Sequence, residues 1–485
     1  MKKILFIAFL LLCFPVWVYA ATSYTAASCQ NDAAPNDIIQ QAIASCVADG
    51  DCTTVYVPAG NCTITNDIDI PDTKAINLVG AGSGTDGTVI TYGTGIYGVQ
   101  AEGDDWTVSG FRFLTSVSTS LSAINAHGLR WRIHHNYFGH TTPGIGTRGN
   151  TQGIGANGTS DGISGQHTTG LIDNNTFDDI RIVVEGEGTF ATQNTLWTQA
   201  NAFGTFDCVY VENNTFNRLS GNVIDSNRAS KYVFRFNNVN QVDSGDANYP
   251  VPFMAHSLQD ADERGSKTWE IYNNKIVFID EKSYALASMR GGTGMFYDND
   301  LTATRADVII ALDNVRSDTC AACGSNPPPA TTDSGLCDGT SLWDGNEVGG
   351  SGYPCRDQIG TGQDSALFNT TDYGAAPVKS PAYFWNNTKN GVTDMPPTVD
   401  ADGRNTTHIQ SGRDYFTATT YDGLAQKPTG YSAYTCPHPL AGLTGSCNST
   451  AGTGGYNVAA GSKSTAQYQS GGMTVMYQAG GGTVK

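Results

Sequence analysis

The stretch TWEIYNNKIVF, residues 268–278, decides the fold. It places Ile271 three positions before Asn274 and Ile276 two positions after it. The same frame surrounds Asn136, Asn175, Asn214, Asn237 and Asn299. Three positions earlier stand Ile133, Ile172, Val211, Phe234 and Phe296; two positions later stand Phe138, Phe177, Phe216, Val239 and Leu301. Every flanking position is apolar. A further unit with Val108 and Phe113 fits but lacks the Asn. Successive asparagines lie 23 or 25 residues apart where the interval is short and 37 to 39 where it is long. That period is too short for a βαβ unit or a propeller blade. It suits one coil of a β-solenoid, three short strands joined by turns. Coils stack at about 4.8 Å, so equivalent residues form columns. Apolar columns fill the bore, and the Asn column hydrogen-bonds along a turn. A β-sandwich with Asn-Asn turns gives no reason for matching columns.

Composition agrees with this reading. Of 485 residues, 57 are Gly and 10% are aromatic, while only 15% are charged, which describes turn-rich, ordered β structure rather than disorder. The net charge of -18 argues against nucleic acid or an anionic membrane as partner. Lys2 and Lys3, the apolar run Ile4 to Val18 and the small-residue site Val18-Tyr19-Ala20 read as a secretion signal over residues 1–20. Cys13 follows Leu12, where a lipoprotein site needs a small residue. No later segment is apolar enough to span a membrane, so the expected location is extracellular or periplasmic. The cysteines group as Cys29, Cys46, Cys52 and Cys62; Cys320, Cys323, Cys337 and Cys355; and Cys436 with Cys447. In an oxidising compartment these ten make about five disulfides, with connectivity open inside each group of four. Cys208 stands alone and is expected as a buried thiol.

The Asn frame, together with IIQQAIASCVADGDCTTVYVPAGNCTITNDIDIP (residues 38–71) and INLVGAGSGTDGTVI (residues 76–90), resembles the right-handed parallel β-helix of the pectate-lyase-like superfamily. The resemblance implies an all-β solenoid with an N-terminal helical cap. With the segments read from the residues themselves, the expected division is a signal at 1–20, a cap at 21–75, the β-helix at 76–316, a cysteine-pinned loop region at 317–447 and a Gly/Ser/Thr-rich tail at 448–485. It is specific for fold and weak for function, because the fold hosts polysaccharide lyases, glycoside hydrolases, phage tailspikes and adhesins.

In that superfamily the Asn ladder follows the second strand of each coil. Arg228, Arg264, Arg290 and Arg316 then lie at the turn between first and second strands, and Lys231 and Lys267 repeat beside them. Stacked arginines repel unless something negative sits among them. Either neighbouring carboxylates supply the charge, or a bound polyanion does; uronate sugars suit Arg through two-pronged carboxylate binding. The first strands read VVEG, VIDS, MAHS, LASM and ALDN, which puts Glu185, Asp225, His256, Ser288 and Asp313 in one expected column. For β-elimination, Arg264 and Arg290 would neutralise the uronate carboxylate and His256 would remove the C5 proton. For hydrolysis, Asp225 with Glu185 or Asp313 would act as acid and base. A rival column on the second strand runs His134, Asp173, Glu212, Arg235, Tyr272 and Tyr297, with the two tyrosines as sugar-stacking candidates.

The motifs of characterised pectate lyases and polygalacturonases are absent, so neither activity carries over by motif. No cofactor or metal is expected; Asp104, Asp105 and the acidic residues of 173–179 offer carboxylates to calcium, but without EF-hand spacing. The expectation is therefore a secreted β-helix that binds and cleaves an acidic polysaccharide, lyase ahead of hydrolase. The alternative is a non-catalytic surface, adhesion or carbohydrate-binding protein.

Overall fold

The computed structural model describes residues 22–115, 121–142, 151–158, 166–186, 188–217, 221–241, 251–258, 263–278, 285–304, 309–313, 354–365, 377–393, 395–399, 408–418, 428–444, 447, 469–470 and 473–474. The chain divides into two compact units, 1–451 and 452–485. In the second, Gln469–Ser470 pairs antiparallel with Met473–Thr474.

The first unit is a right-handed parallel β-helix. Among the described residues its wall consists of three sheets, of ten, twelve and eleven strands, in which strands pair in parallel with their counterparts one coil away, save the last, Val392–Thr393, which pairs antiparallel with Thr388–Lys389. The first-strand sheet runs from Ile68–Ile70 to Pro397–Val399, the second from Thr22–Thr25 to Tyr415–Ala418 and the third from Gly60–Thr63 to Val392–Thr393. Alternation along each strand decides what the bore holds. Ile271 and Ile276 are fully buried, as are their counterparts, and Phe113, Phe138, Phe177 and Phe216 stack face to face at 4.6–5.5 Å. The bore is thus a dry column in which each coil buries its apolar residues on its neighbours.

The Asn column behaves as its spacing requires. Each ladder Asn is at most 2% exposed. The backbone N–H of Asn136 donates to Asn175 Oδ1, that of Asn175 to Asn214 Oδ1, and so on through Asn237, Asn274 and Asn299. From Asn136 to Asn274 each side-chain amide also donates to the next Asn and to two backbone carbonyls; Asn274 Nδ2, for instance, reaches Phe234 O, Tyr272 O and Asn299 Oδ1. The doublet is explained too. The residue before each rung sits at φ 53–58° in the left-handed region, where Asn, Asp and His are tolerated, and His135, Asn174, Asn213, Asn273, Asp298 and Asn386 supply most of these positions.

The ladder continues to a rung missing from the expected set. Asn299 N donates to Asn387 Oδ1 across 88 residues. Strands Ala382–Trp385, Thr388–Lys389 and Pro397–Val399 join the three sheets there, so the solenoid runs past residue 316, where its end was expected. The long insertion between the two rungs hid this coil. At the other end the first coil begins before residue 76, with Cys52–Val57, Gly60–Thr63 and Ile68–Ile70 already in the sheets.

The cap helix Ile38–Ala48 buries Ile39, Ala42, Ile43 and Cys46, a single stripe at helical spacing, over the open end of the bore. Cys46–Cys52 ties its last turn to the first coil, and Cys29–Cys62 ties the preceding segment. A second helix, Phe190–Thr198, lies on the side of the solenoid. Neither helix has a basic residue in its last turn. A lysine from elsewhere does that job in both: Lys74 Nζ donates to Cys46 O and Asp49 O, and Lys267 Nζ to Leu196 O and Gln199 O.

Cys436–Cys447 pairs as expected and Cys355 is disulfide-bonded. Cys208 is free and buried. The signal, Arg316, Cys320, Cys323 and Cys337 lie outside the described residues. No described helix is long and apolar enough to cross a membrane.

Candidate functional site

Parallel pairing fixes the register of the first-strand sheet. It places Gln100 beside Asn125, Asn125 beside Gly155, Gly155 beside Val183, Val183 beside Asp225, Asp225 beside Met254, Met254 beside Ser288 and Ser288 beside Ala311. Two residues further on, and on the same outward face, runs a second row: Glu102, His127, Asn157, Glu185, Asn227, His256, Arg290 and Asp313. All eight are polar and half-buried, one on each of eight consecutive coils. The ribbon spans about 34 Å at 4.8 Å per coil.

The expected column Glu185–Asp225–His256–Ser288–Asp313 is therefore two rows. Glu185, His256 and Asp313 belong to the ribbon; Asp225 and Ser288 stand two residues earlier. The arginine-bearing turns, used to align the strands, differ in length, so they could not set the register. Asp225 and His256 still meet across the diagonal, with His256 Nε2 at 2.8 Å from Asp225 Oδ1. Arg181 holds the other carboxylate oxygen of Asp225 at 2.9 Å. Burial pushes the Asp225 carboxyl up, but His256 and Arg181 outweigh it and hold it below its ordinary value. Glu185 moves the other way: burial raises it against the pull of Arg228, and Glu263 and Asp225 add to the rise.

Arg228, Arg264 and Arg290, the described arginines of the expected column, do not form one column. Arg228 N donates to Arg264 O, which makes these two neighbours. Arg290 instead stands in the ribbon beside His256. Arg228 binds Glu185 at 2.8 Å and Glu263 at 2.5 Å. Arg264 is not a surface clamp. It is wholly buried, with Asp357 at 2.6 Å and Asp364 at 2.7 Å, Asn194 Oδ1 at 2.5 Å and the Trp197 ring 4.7 Å away. A guanidinium so enclosed cannot meet a polymer at the surface. Arg290 is partly open. Its Nε reaches Ser288 Oγ at 3.1 Å and lies 3.6 Å from Asp313 Oδ2, and its two amino groups have no partner among the described residues.

Lys231 and Lys267 are also buried, contrary to a substrate-binding role. Lys231 pairs with Asp207 at 2.6 Å. Lys267 caps the side helix, and burial, with Lys231 nearby, lowers it to about 6. The rival second-strand column is covered from Asp173 to Tyr297, with His134 left half-buried at its end. Residues 428–444 form a strap across it, and Arg235 donates to Tyr434 O and Thr435 O while His438 N donates to Glu212 Oε1. Tyr431 donates to Glu270 at 2.6 Å. Tyr272, Tyr297 and Trp385 stack on one another at 4.6 and 4.1 Å, which uses up the ring faces a sugar would need.

Sequence reasoning missed Glu102, His127, Asn157 and Asn227. The signal was present: each first strand reads apolar, variable, small or apolar, polar. Ile124-Asn125-Ala126-His127, Ile154-Gly155-Ala156-Asn157 and Phe253-Met254-Ala255-His256 show it, with the first and third residues buried in the bore.

Among the described residues no three His, Cys, Asp or Glu side chains converge to hold a metal ion. Asp104 and Asp105 are bound by Arg130, and Asp173 by Arg132. No known protein family and no curated protein matches the chain. Among solved structures it is similar to the Streptococcus pneumoniae surface protein and adhesin PfbA, at 11% identity and a TM-score of 0.34, over 57% of this chain and 85% of that one.

Proposed function

We propose that this protein is an exported glycan-binding β-helix of the pectate-lyase-like superfamily, and that it holds an extended carbohydrate chain along the first-strand face. The observation that carries this reading is the ribbon from Glu102 to Asp313. An unbroken, half-buried row of polar groups, one per coil, offers donors and acceptors at a regular spacing along a line. A linear polymer of hydroxylated rings can meet several of them at once. The disulfides suit an oxidising compartment, in keeping with export. The test is a glycan array with the full chain, followed by titration of the best ligand against Asn227→Ala combined with His256→Ala. Loss of at least tenfold in affinity with an unchanged thermal midpoint supports the reading; unchanged affinity removes it.

A second reading is favoured by the His256–Asp225 contact. A histidine oriented by a half-buried carboxylate is a competent general base, and Arg290 beside it has amino groups to offer a uronate carboxylate. In β-elimination, His256 would take the C5 proton, the bond to the leaving O4 would break, and a double bond would form between C4 and C5. Two features weigh against a polyanion, however. Arg228 is already neutralised by two glutamates, and Arg264 is enclosed. Ultraviolet absorbance of unsaturated products on a panel of uronate polymers decides it: a rise that His256→Ala abolishes supports cleavage, and a flat trace leaves binding alone.

A further inference from the structure

The ribbon and the row beside it change character along their length. From Arg181 to Asp313 the face is charged, with Arg181, Glu185, Asp225, Arg228, Glu263, Arg290 and Asp313 on it or at its rim. The three coils before it carry Gln100, Asn125, His127, Gln152 and Asn157, with Glu102 as the charged group at their far end. Here amide binds amide. Asn125 Nδ2 donates to Gln100 Oε1 at 2.7 Å and to His127 Nε2 at 2.9 Å, and Asn125 Oδ1 accepts from Asn157 Nδ2. His127 Nδ1 donates to Gly158 O at 2.7 Å, which fixes its tautomer and leaves Nε2 as the acceptor. Gly155 makes the arrangement possible, because a Cβ there would come within 2.6 Å of Ser122 Oγ and 3.4 Å of Asn125 Oδ1.

The central Asn125 is thus spent internally and buried, while the amides around it keep groups to offer. Asn157 retains one N–H and its Oδ1, and Gln100 retains an N–H, with no further partner among the described residues. A carboxamide presents a donor and an acceptor at once, as does a sugar hydroxyl, and pairing the two desolvates no charge. A carboxylate arriving here would find a cation only at the Gln152 edge, where Arg181 is already held by Asp225 at 2.9 Å. It would be flanked by Asp67, Asp69 and Glu102 on one side and Glu185 on the other.

Resting on the glycan-binding reading, we infer that the amide stretch around Asn125 is a subsite for uncharged sugar residues. The ligand is then a neutral or mixed glycan rather than a homopolymer of uronate. The amides select rings that bear hydroxyl or acetamido groups, and charged substituents are admitted only over the Arg290 end.

The test is calorimetric titration of the full chain with two probes of equal length, a neutral β-glucan or galactomannan oligosaccharide and an oligogalacturonate. The expected result is tighter binding of the neutral probe. Asn157→Ala should weaken that probe at least tenfold, and Asn157→Asp, which keeps the shape and adds charge, should weaken it at least as much. Thermal midpoints show that both variants remain folded. Preference for the oligogalacturonate, or indifference of the neutral probe to both Asn157 variants, overturns the subsite while leaving glycan binding intact. If neither probe nor any array glycan binds the unsubstituted chain, glycan binding itself falls and takes the subsite with it.

Discussion

The first-strand face and the second-strand face are outer surfaces of one solenoid, and both carry arginine–carboxylate pairs on parallel strands. On the second-strand face Arg235 and Glu212 are fully buried at 2.6 Å and sealed by the strap. On the first-strand face Arg290 and Asp313, 3.6 Å apart, stay partly open. Residue type does not separate these faces; cover does. A buried charge pair is committed to holding its neighbours, because losing either partner strands the other without solvent. A half-open pair costs little to disturb and keeps donors for a ligand. The same contrast appears within the expected arginine column, where Arg264 is enclosed by Asp357 and Asp364 while Arg290 reaches the surface.

The largest effect that would break this comparison lies at Arg264. Arg264→Ala leaves Asp357 and Asp364 facing each other and Arg356 in a closed space, and should cost roughly 3–5 kcal/mol. Urea unfolding checks it; a loss under about 1 kcal/mol would mean that the site admits water and belongs with the open face. Next comes the ladder. Asn274→Ala removes an acceptor for Asn237 N and donors to two carbonyls, all buried. The expected cost is about 1–3 kcal/mol, in the same assay.

Glu270 sharpens the contrast through pH. Under the strap, burial raises its carboxyl above the ordinary value, against the hydrogen bonds from Tyr431 and Gly204. The folded state therefore holds the Glu270 proton more tightly than the unfolded chain does. Its effect on stability is most favourable below the unfolded value of about 4.3, declines as pH rises through the window up to the folded value, and is constant beyond. Glu270→Gln holds no such proton. Relative to the unsubstituted chain it should gain stability between pH 4 and neutrality, as read from urea midpoints at several pH values; parallel curves would place Glu270 in contact with solvent. Asp225, on the open face, has the opposite sign: its contribution is present above about 3.9 and lost as pH falls through its depressed folded value.

What the sequence disclosed follows the same division. Ile271, Asn274 and Ile276 announced the coil because bore and ladder impose one chemistry on every rung. The ladder rung at Asn387 escaped because the insertion before it broke the period. The charged columns were harder to place. Arg228, Arg264 and Arg290 follow similar local patterns, yet only contacts with Asp357, Asp364 and the side helix, far away in the chain, decide which is enclosed. Tyr272 and Tyr297 looked like a sugar platform until a strap more than 130 residues later covered them. The polar fourth position of each first strand was legible in principle, because its apolar neighbours are bore residues with the same periodicity as the ladder.

The smallest stability effect and the most selective functional one should coincide at Arg290. Its carboxylate partner is at 3.6 Å and both side chains are partly solvated, so Arg290→Ala should change stability by less than about 1 kcal/mol. It stands partly exposed beside His256. If the ribbon holds a glycan with charge over this end, the substitution should weaken an acidic or mixed oligosaccharide at least tenfold and leave a neutral one within twofold. A large loss of stability would place Arg290 with Arg264 as part of the frame. Equal weakening of both probes would mean that Arg290 positions the ribbon as a whole, through Ser288 and Asp313, rather than reading charge, and the functional division of the first-strand face into amide and charged ends would have to be redrawn.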